Sequence, residues 1–279
     1  MCESCGCGDL GQGIRIYRPA DINEKVEEIH YHTHDHENDE HIHDHAHSHE
    51  YSHSHTHEHS HIKESKIDIE QNILSANDKM AERNRGYFEA KDVLALNLVS
   101  SPGSGKTSLL EKTLQMLSSK VSCYVIEGDQ QTDNDAQRIK KTGVPVVQIN
   151  TGNACHLDAN MIHSAIHGLN ITNKSILFIE NVGNLVCPSL FDLGESFRVV
   201  VFSVTEGEDK PLKYPNMFYT SQIVILNKID LLPYIDFDRN KAIENIFRIN
   251  PKAKVFELSV RTGEGIDKWI DWLQESVVK

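Results

Sequence analysis

Several groups of residues in this 279-residue sequence have types and spacings that suit chemistry, and the most regular is SSPGSGKT, residues 100–107. It follows the apolar run VLALNLV (93–99) and opens a helical pattern over 105–118, an order of strand, glycine loop and helix that suits a nucleoside triphosphate. Residues Pro102, Gly103, Ser104, Gly105, Lys106, Thr107 and Ser108 would wrap the phosphates, with backbone N–H groups and the positive helix end as donors. Lys106 would reach the terminal phosphates and the Thr107 hydroxyl would ligate Mg2+. The strict pattern begins with glycine, where this chain has Ser100.

The segment NKID, residues 227–230, closes the strand-like run QIVIL. Asp230 there could accept from both N1–H and the exocyclic amine of guanine, a pair of donors that adenine lacks. Asn227 would support the loop and the Lys228 stem would lie along the base, while Ser259, Val260 and Arg261 would close over it by backbone contacts. This set favours GTP and GDP over ATP. Asp129 in EGDQQTDND and Glu180 in FIENVGN are candidates for the Mg2+ side of the phosphates, against the plainer readings of a helix cap and a solvated strand end. With Lys106 and Thr107 they form the expected hydrolytic set, and the backbone N–H of Gly183 could sense the terminal phosphate. No general base stands out, so hydrolysis is expected to be slow and to rest on positioning and charge.

Cysteine and histidine form the remaining groups. Cys155, His156 and Cys187 offer two thiolates and an imidazole, three soft or borderline donors short of a closed four-ligand zinc site. Small buried cysteines beside a helix-capping histidine are the alternative, and Cys123, inside a strand-like run, takes that reading. Cys2, Cys5 and Cys7 place three thiolates within six residues; nickel and zinc both remain open there. Between His30 and His61 lie 14 of the 17 histidines, among Ser, Thr, Asp and Glu, a composition with too little apolar surface to fold and a high capacity for divalent metal.

These groups need a scaffold. Short apolar runs recur at 93–99, 121–127, 144–149, 175–180, 198–204, 222–227 and 253–258, mostly separated by helical patterns. That predicts an α/β fold: a P-loop NTPase domain whose mostly parallel, doubly wound sheet carries helices on both faces and binds ligands at the strands' carboxyl ends. The expected organisation is a cysteine motif over 1–13, a disordered His-rich tail over 14–65, and a GTPase domain over 66–279 entered by an amphipathic helix that ends near Gly86 to Lys91. A net charge of −13 argues against a nucleic-acid partner, and no run approaches the length of a membrane span. The start MCESCGCGDLGQG lacks the features of an export signal, which predicts a soluble, cytoplasmic protein with reduced thiols.

Taken together, CESCGCG, SSPGSGKT, GDQQTDND, TGNACHLDA, IENVGNLVCP and NKIDLLP resemble the HypB family of GTPases that help insert nickel during [NiFe]-hydrogenase maturation. The resemblance covers the whole chain. It implies a GTPase domain of the signal-recognition and MinD class, GTP-linked homodimerisation, and a metal site at the dimer interface. It further implies a high-affinity nickel site at Cys2, Cys5 and Cys7, and a nickel or zinc site (Ni2+, Zn2+) at Cys155, His156 and Cys187. The implied partners are a small zinc-containing protein of the HypA type and the hydrogenase large-subunit precursor. Two other readings stay open: a nickel or zinc store with a regulatory nucleotide domain, or an accessory GTPase for another nickel enzyme such as urease.

Overall fold

Seven stretches rich in Val, Ile, Leu and Phe form the centre of the molecule because neither face of such a strand can be left in water. The computed structural model describes residues 15–17, 66–130 and 134–277. In chain order these hold β1 (Arg15–Tyr17), α1 (Lys66–Ala90), β2 (Leu94–Ser100), α2 (Lys106–Leu117), β3 (Cys123–Asp129), α3 (Asn134–Lys140), β4 (Val146–Asn150), α4 (Ala159–Ile166) and β5 (Ile176–Glu180). Then follow β6 (Phe197–Ser203), α5 (Lys210–Lys213), α6 (Pro215–Thr220), β7 (Ile223–Asn227), α7 (Arg239–Ile249), β8 (Lys254–Glu257) and α8 (Ile266–Val277). The sheet order is β1-β4-β3-β5-β2-β6-β7-β8. All pairings among β2 to β8 are parallel, so the seven sequence-predicted strands and the doubly wound α/β architecture are found.

Within the stretch 14–65, Arg15–Tyr17 adds a short eighth strand, antiparallel to the outer edge of β4, that the apolar runs did not announce. The edge of β4 presents unpaired backbone groups, and a three-residue partner is enough to pair them. Cys2, Cys5, Cys7 and the histidines between His30 and His61 lie outside the described residues.

Three apolar clusters divide the two faces. On one, α2 and α8 cover β2, β3 and β7 through Leu109, Leu114, Trp269 and Leu273, and Trp269 Nε1 donates to Thr113 Oγ1 at 3.0 Å. On the other, α4, the end of α1 and Leu157 from the loop before α4 cover β3, β4 and β5, with Ile162, Ala165 and Phe88 as the helices' contribution, while α6 and α7 cover β6 and β7 through Met217, Phe218 and Ile246.

The long helix α1 has a weakly patterned sequence and is docked largely by buried amides. Asn77 Oδ1 accepts from Ala159 N and its Nδ2 donates to Asp192 O; Asn84 Nδ2 donates to Ala159 O and Leu193 O. Gly194 lets the loop pass beneath the helix: its φ is +86°, and an added Cβ would stand 2.5 Å from Ala81 O and 2.8 Å from Arg85 N. Gly194→Ala is therefore expected to loosen α1 and cost roughly 1–3 kcal/mol, read as a lowered midpoint in chemical denaturation.

Candidate functional site

The carboxyl ends of β2, β3, β5 and β7 converge on the loop that precedes α2. Ser100 is the last residue of β2, buried and without positive φ, so the position where the strict pattern has glycine makes no demand that serine cannot meet. The left-handed positions fall at Gly103 and Gly105, the latter capping α2. Ser104 is buried, with its hydroxyl donating to Ser101 O and placed 2.7 Å from Glu206 Oε1. Glu206 also accepts from Ser203 N and pairs with Lys210, so it ties this loop to the end of β6. Glu206 was missed in the sequence because its neighbours VTEGED carry no recognisable spacing.

Glu180 ends β5 against this loop. Its Oε1 accepts from Lys106 Nζ at 2.9 Å and Thr107 Oγ1 at 2.6 Å, while its Oε2 is buried with no hydrogen-bond partner among the described residues. The solvated strand end considered for Glu180 is therefore excluded: the residue is 1% exposed. Asp129 ends β3 and accepts from Gln130 N through Oδ1; it does not begin α3, so the helix-cap alternative is also excluded. An all-oxygen set of Thr107 hydroxyl and Glu180 and Asp129 carboxylates fits Mg2+ in donor type. Between the two acids lies a third that the sequence reading passed over, Glu127, which pairs in register with Glu180 and is 2% exposed. Burial first, then the Glu180 and Asp129 carboxylates, push its pKa up to about 9, with Lys106 pulling the other way. It was overlooked because a glutamate within an apolar run reads as the strand's end.

The base-side residues interlock. Asn227 Nδ2 donates to Ser104 O, and its Oδ1 accepts from Lys228 N and Val260 N. Ser259 Oγ donates to Asp230 Oδ1 at 2.6 Å, holding the carboxylate by a side chain where backbone contact alone was expected. Lys228 departs further from expectation: in a left-handed conformation (φ 63°), it donates from Nζ to Gly103 O and so bridges to the phosphate loop. Arg261 is exposed at the rim, and Ser108 is placed 3.1 Å from an Arg138 guanidinium nitrogen on α3.

Cys155 and Cys187, 32 residues apart, bring their Sγ atoms to 2.8 Å, with Cys155 Sγ 3.9 Å from His156 Nδ1. One donor atom from each of the three lies within 4.8 Å of the others, the one such His, Cys or carboxylate trio among the described residues. His156 is buried and stacked on Phe191 (centroids 3.9 Å apart), and burial lowers its pKa against the pull of Asp158, which favours the neutral imidazole that a metal requires. Cys123 has the opposite surroundings: buried in β3, its thiol is pushed up to about 12 by burial, so it is unreactive. Val186 and Leu190 stand exposed on either side of Cys187.

The two sites share a frame. Gly183 abuts Pro102, an added Cβ reaching within 3.3 Å of its ring, so the segment leading to Cys187 touches the phosphate loop. Asn181 Oδ1 accepts from Leu157 N, and Asn184 Nδ2 donates to Cys155 O at 3.4 Å. Buried Arg198 donates to the carbonyls of Ser189 and Phe191 and pairs with Glu195, whose Oε1 accepts from Asn97 on β2.

Comparison with known proteins agrees with this geometry. Residues 94–257 match the family model described as CobW/HypB/UreG, nucleotide-binding domain. The hydrogenase maturation factor HypB of Escherichia coli K12 is 56% identical over 208 residues, covering 75% of this chain and 72% of that protein. The probable HypB of Methanocaldococcus jannaschii is 43% identical over 76% of this chain and 96% of its own. Among solved structures, HypB from Archaeoglobus fulgidus superposes with a TM-score of 0.69 at 37% identity, over 73% of this chain and 99% of that one. HypB from Helicobacter pylori in complex with nickel gives 0.69 at 38% identity, over 72% and 95%. Among the described residues, no helix is long and apolar enough to cross a membrane.

The raised Glu127 pKa has a sign that can be measured. Stability attached to the neutral carboxyl is complete below its ordinary value of 4.5 and is lost as pH climbs from there toward about 9, because the unfolded chain ionises first. Glu127→Gln is expected to flatten this decline, so that in urea denaturation without nucleotide or divalent metal the variant's gain over the parent grows with pH and is largest at about pH 9.

Proposed function

The chain belongs to the CobW/HypB/UreG family, and within it to the HypB hydrogenase maturation factors; from that premise we propose that it is a GTP-hydrolysing nickel carrier serving [NiFe]-hydrogenase maturation. Nickel is the cargo, and the guanine nucleotide sets when Cys155, His156 and Cys187 hold it. The reading is carried by one observation: consecutive residues at the end of β5 serve both sites, Glu180 bonding to Lys106 and Thr107 while Asn181 bonds to the backbone beside His156.

In this reading Lys106, the loop's backbone N–H groups and the start of α2 hold the phosphates, and Asp230, steadied by Ser259, reads guanine. Bound Mg2+ would neutralise phosphate charge, with Thr107 and Glu180 holding it and Asp129 orienting its water. Lys106 and Thr107 must leave Glu180 to do so, which frees that strand end to shift. Gly183, against Pro102, then passes the change to the segment bearing Cys187. Zinc competes for the same thiolates.

The cysteines at 2, 5 and 7 and the histidine run are assigned to collecting nickel, a homodimer formed with GTP to the transferring state, and a HypA-type protein and the hydrogenase large-subunit precursor to the downstream route in the cytoplasm. Helicobacter hepaticus has a relative named hydrogenase/urease maturation factor HypB, 41% identical over 218 residues. That name supports a second reading, in which urease is another recipient.

Nickel titration of the full chain, followed through thiolate-to-nickel absorbance, is expected to give affinities differing roughly 5–150-fold between GDP and a non-hydrolysable GTP analogue. Cys187→Ser should abolish the difference; equal affinities in the parent chain would overturn the coupling. Asp230→Asn is expected to weaken GTP binding by about 1.5–3 kcal/mol per lost hydrogen bond, roughly one to two decades in Kd each, with little change in fold.

A further inference from the structure

The three histidines outside the dense run are His156, His163 and His167, all within one short segment, and only the first belongs to the thiol site. His163 and His167 stand four residues apart on α4, and His167, the C-cap residue, keeps helical angles (φ −67°, ψ −23°), so both rings leave the same face of the helix. Their centroids are 5.0 Å apart with planes at 87°. Two imidazoles bound to one ion through metal–nitrogen bonds of about 2.0–2.1 Å have centres roughly 4.5–5.5 Å apart, so this pair is already near chelating separation.

The tautomer of His163 is fixed by its neighbour. Asn84 is fully buried, and its Nδ2 donates to two carbonyls, Ala159 O and Leu193 O; a flipped amide would set oxygen against oxygen at both. The Oδ1 of Asn84 is therefore the atom 3.2 Å from His163 Nδ1, and Nδ1 must carry the hydrogen. That leaves the Nε2 lone pair of His163 available, with Asn84 acting on the imidazole as the outer hydrogen-bond acceptor acts in metal sites. Burial first, then Arg83 and His167, lower the His163 pKa and so disfavour the charged ring. The carbonyl end of α4 adds partial negative charge that favours a cation, while the exposed Arg83 opposes it.

We propose that His163 and His167 form a second metal site on α4, a two-imidazole dock for a divalent first-row transition ion such as Ni2+, separate from the Cys155–His156–Cys187 centre. Its open coordination positions suit an ion in passage rather than one in permanent residence. The site requires neither GTP coupling nor the thiolates, so it stands or falls apart from the function proposed above.

The test is histidine carbethoxylation of the full-length protein with and without Ni2+ alone, read peptide by peptide by mass spectrometry. Ni2+ is expected to slow labelling of His163 and His167 together. In His167→Gln, an exposed change at a helix end, protection of His163 should require roughly tenfold more Ni2+. His163→Gln should do the same to His167, and a Cys155→Ser, Cys187→Ser chain should keep protection of both. Labelling indifferent to Ni2+ at concentrations that protect the histidine run would overturn the proposal. So would protection of His163 unchanged by loss of His167, or protection that vanishes with the two thiols.

Discussion

The alternation of side chains along a β-strand is the constraint on which this molecule turns. At the end of β5, Glu180 and the next residue, Asn181, whose N–H still bonds to Leu98 O, point to opposite faces of the sheet, as successive residues of a strand do. One face holds α2 and the phosphate loop, where Glu180 accepts from Lys106 and Thr107; the other holds the loop before α4, where Asn181 accepts from Leu157 N. No separate lever is needed to connect the two sites. In the coupling proposed above, a shift of one strand end by part of an ångström would be felt on both sides, since the packed interior around it leaves little slack to absorb the movement.

What keeps the thiol-bearing loop close enough to feel that shift is a buried polar frame. Arg198 and Glu195, each under a tenth exposed, pair with one another while Arg198 also holds the carbonyls of Ser189 and Phe191. A buried ion pair contributes little net stability, but every donor here has an acceptor, and removing one partner would strand the other without water. The frame's role is accordingly geometric. Asn97 joins it to β2, the strand that leads directly into the phosphate loop, and joins Asn181 as well, so one side chain touches both branches.

Much of this was legible in the sequence for identifiable reasons. All seven parallel strands were readable because burial on both faces forces continuous apolar runs, and PGSGKT and NKID were readable because their chemistry requires fixed spacing along a single loop. Cys155, His156 and Cys187 were legible as donors, and the structure brings them together. The supports were not. Arg198, Asn97, Asn84 and Glu206 act through partners 3 to about 110 residues away, and polar residues so used leave no periodic trace. Glu127 hid inside a strand, and Arg15–Tyr17 is too short for any pattern to announce it. The Lys228 contact with Gly103 depends on a left-handed turn at a residue type that rarely adopts one.

The bond from Trp269 to Thr113 spans 156 positions. It joins the final helix to the one that begins at the phosphate loop, and Trp269 is wholly enclosed there beside Leu114 and Leu117. During synthesis the loop emerges early, while the indole that steadies its helix comes among the last dozen residues described. The helix behind the phosphate loop is therefore steadied by a residue 156 positions later in the chain, a contact that cannot form until that stretch has been made.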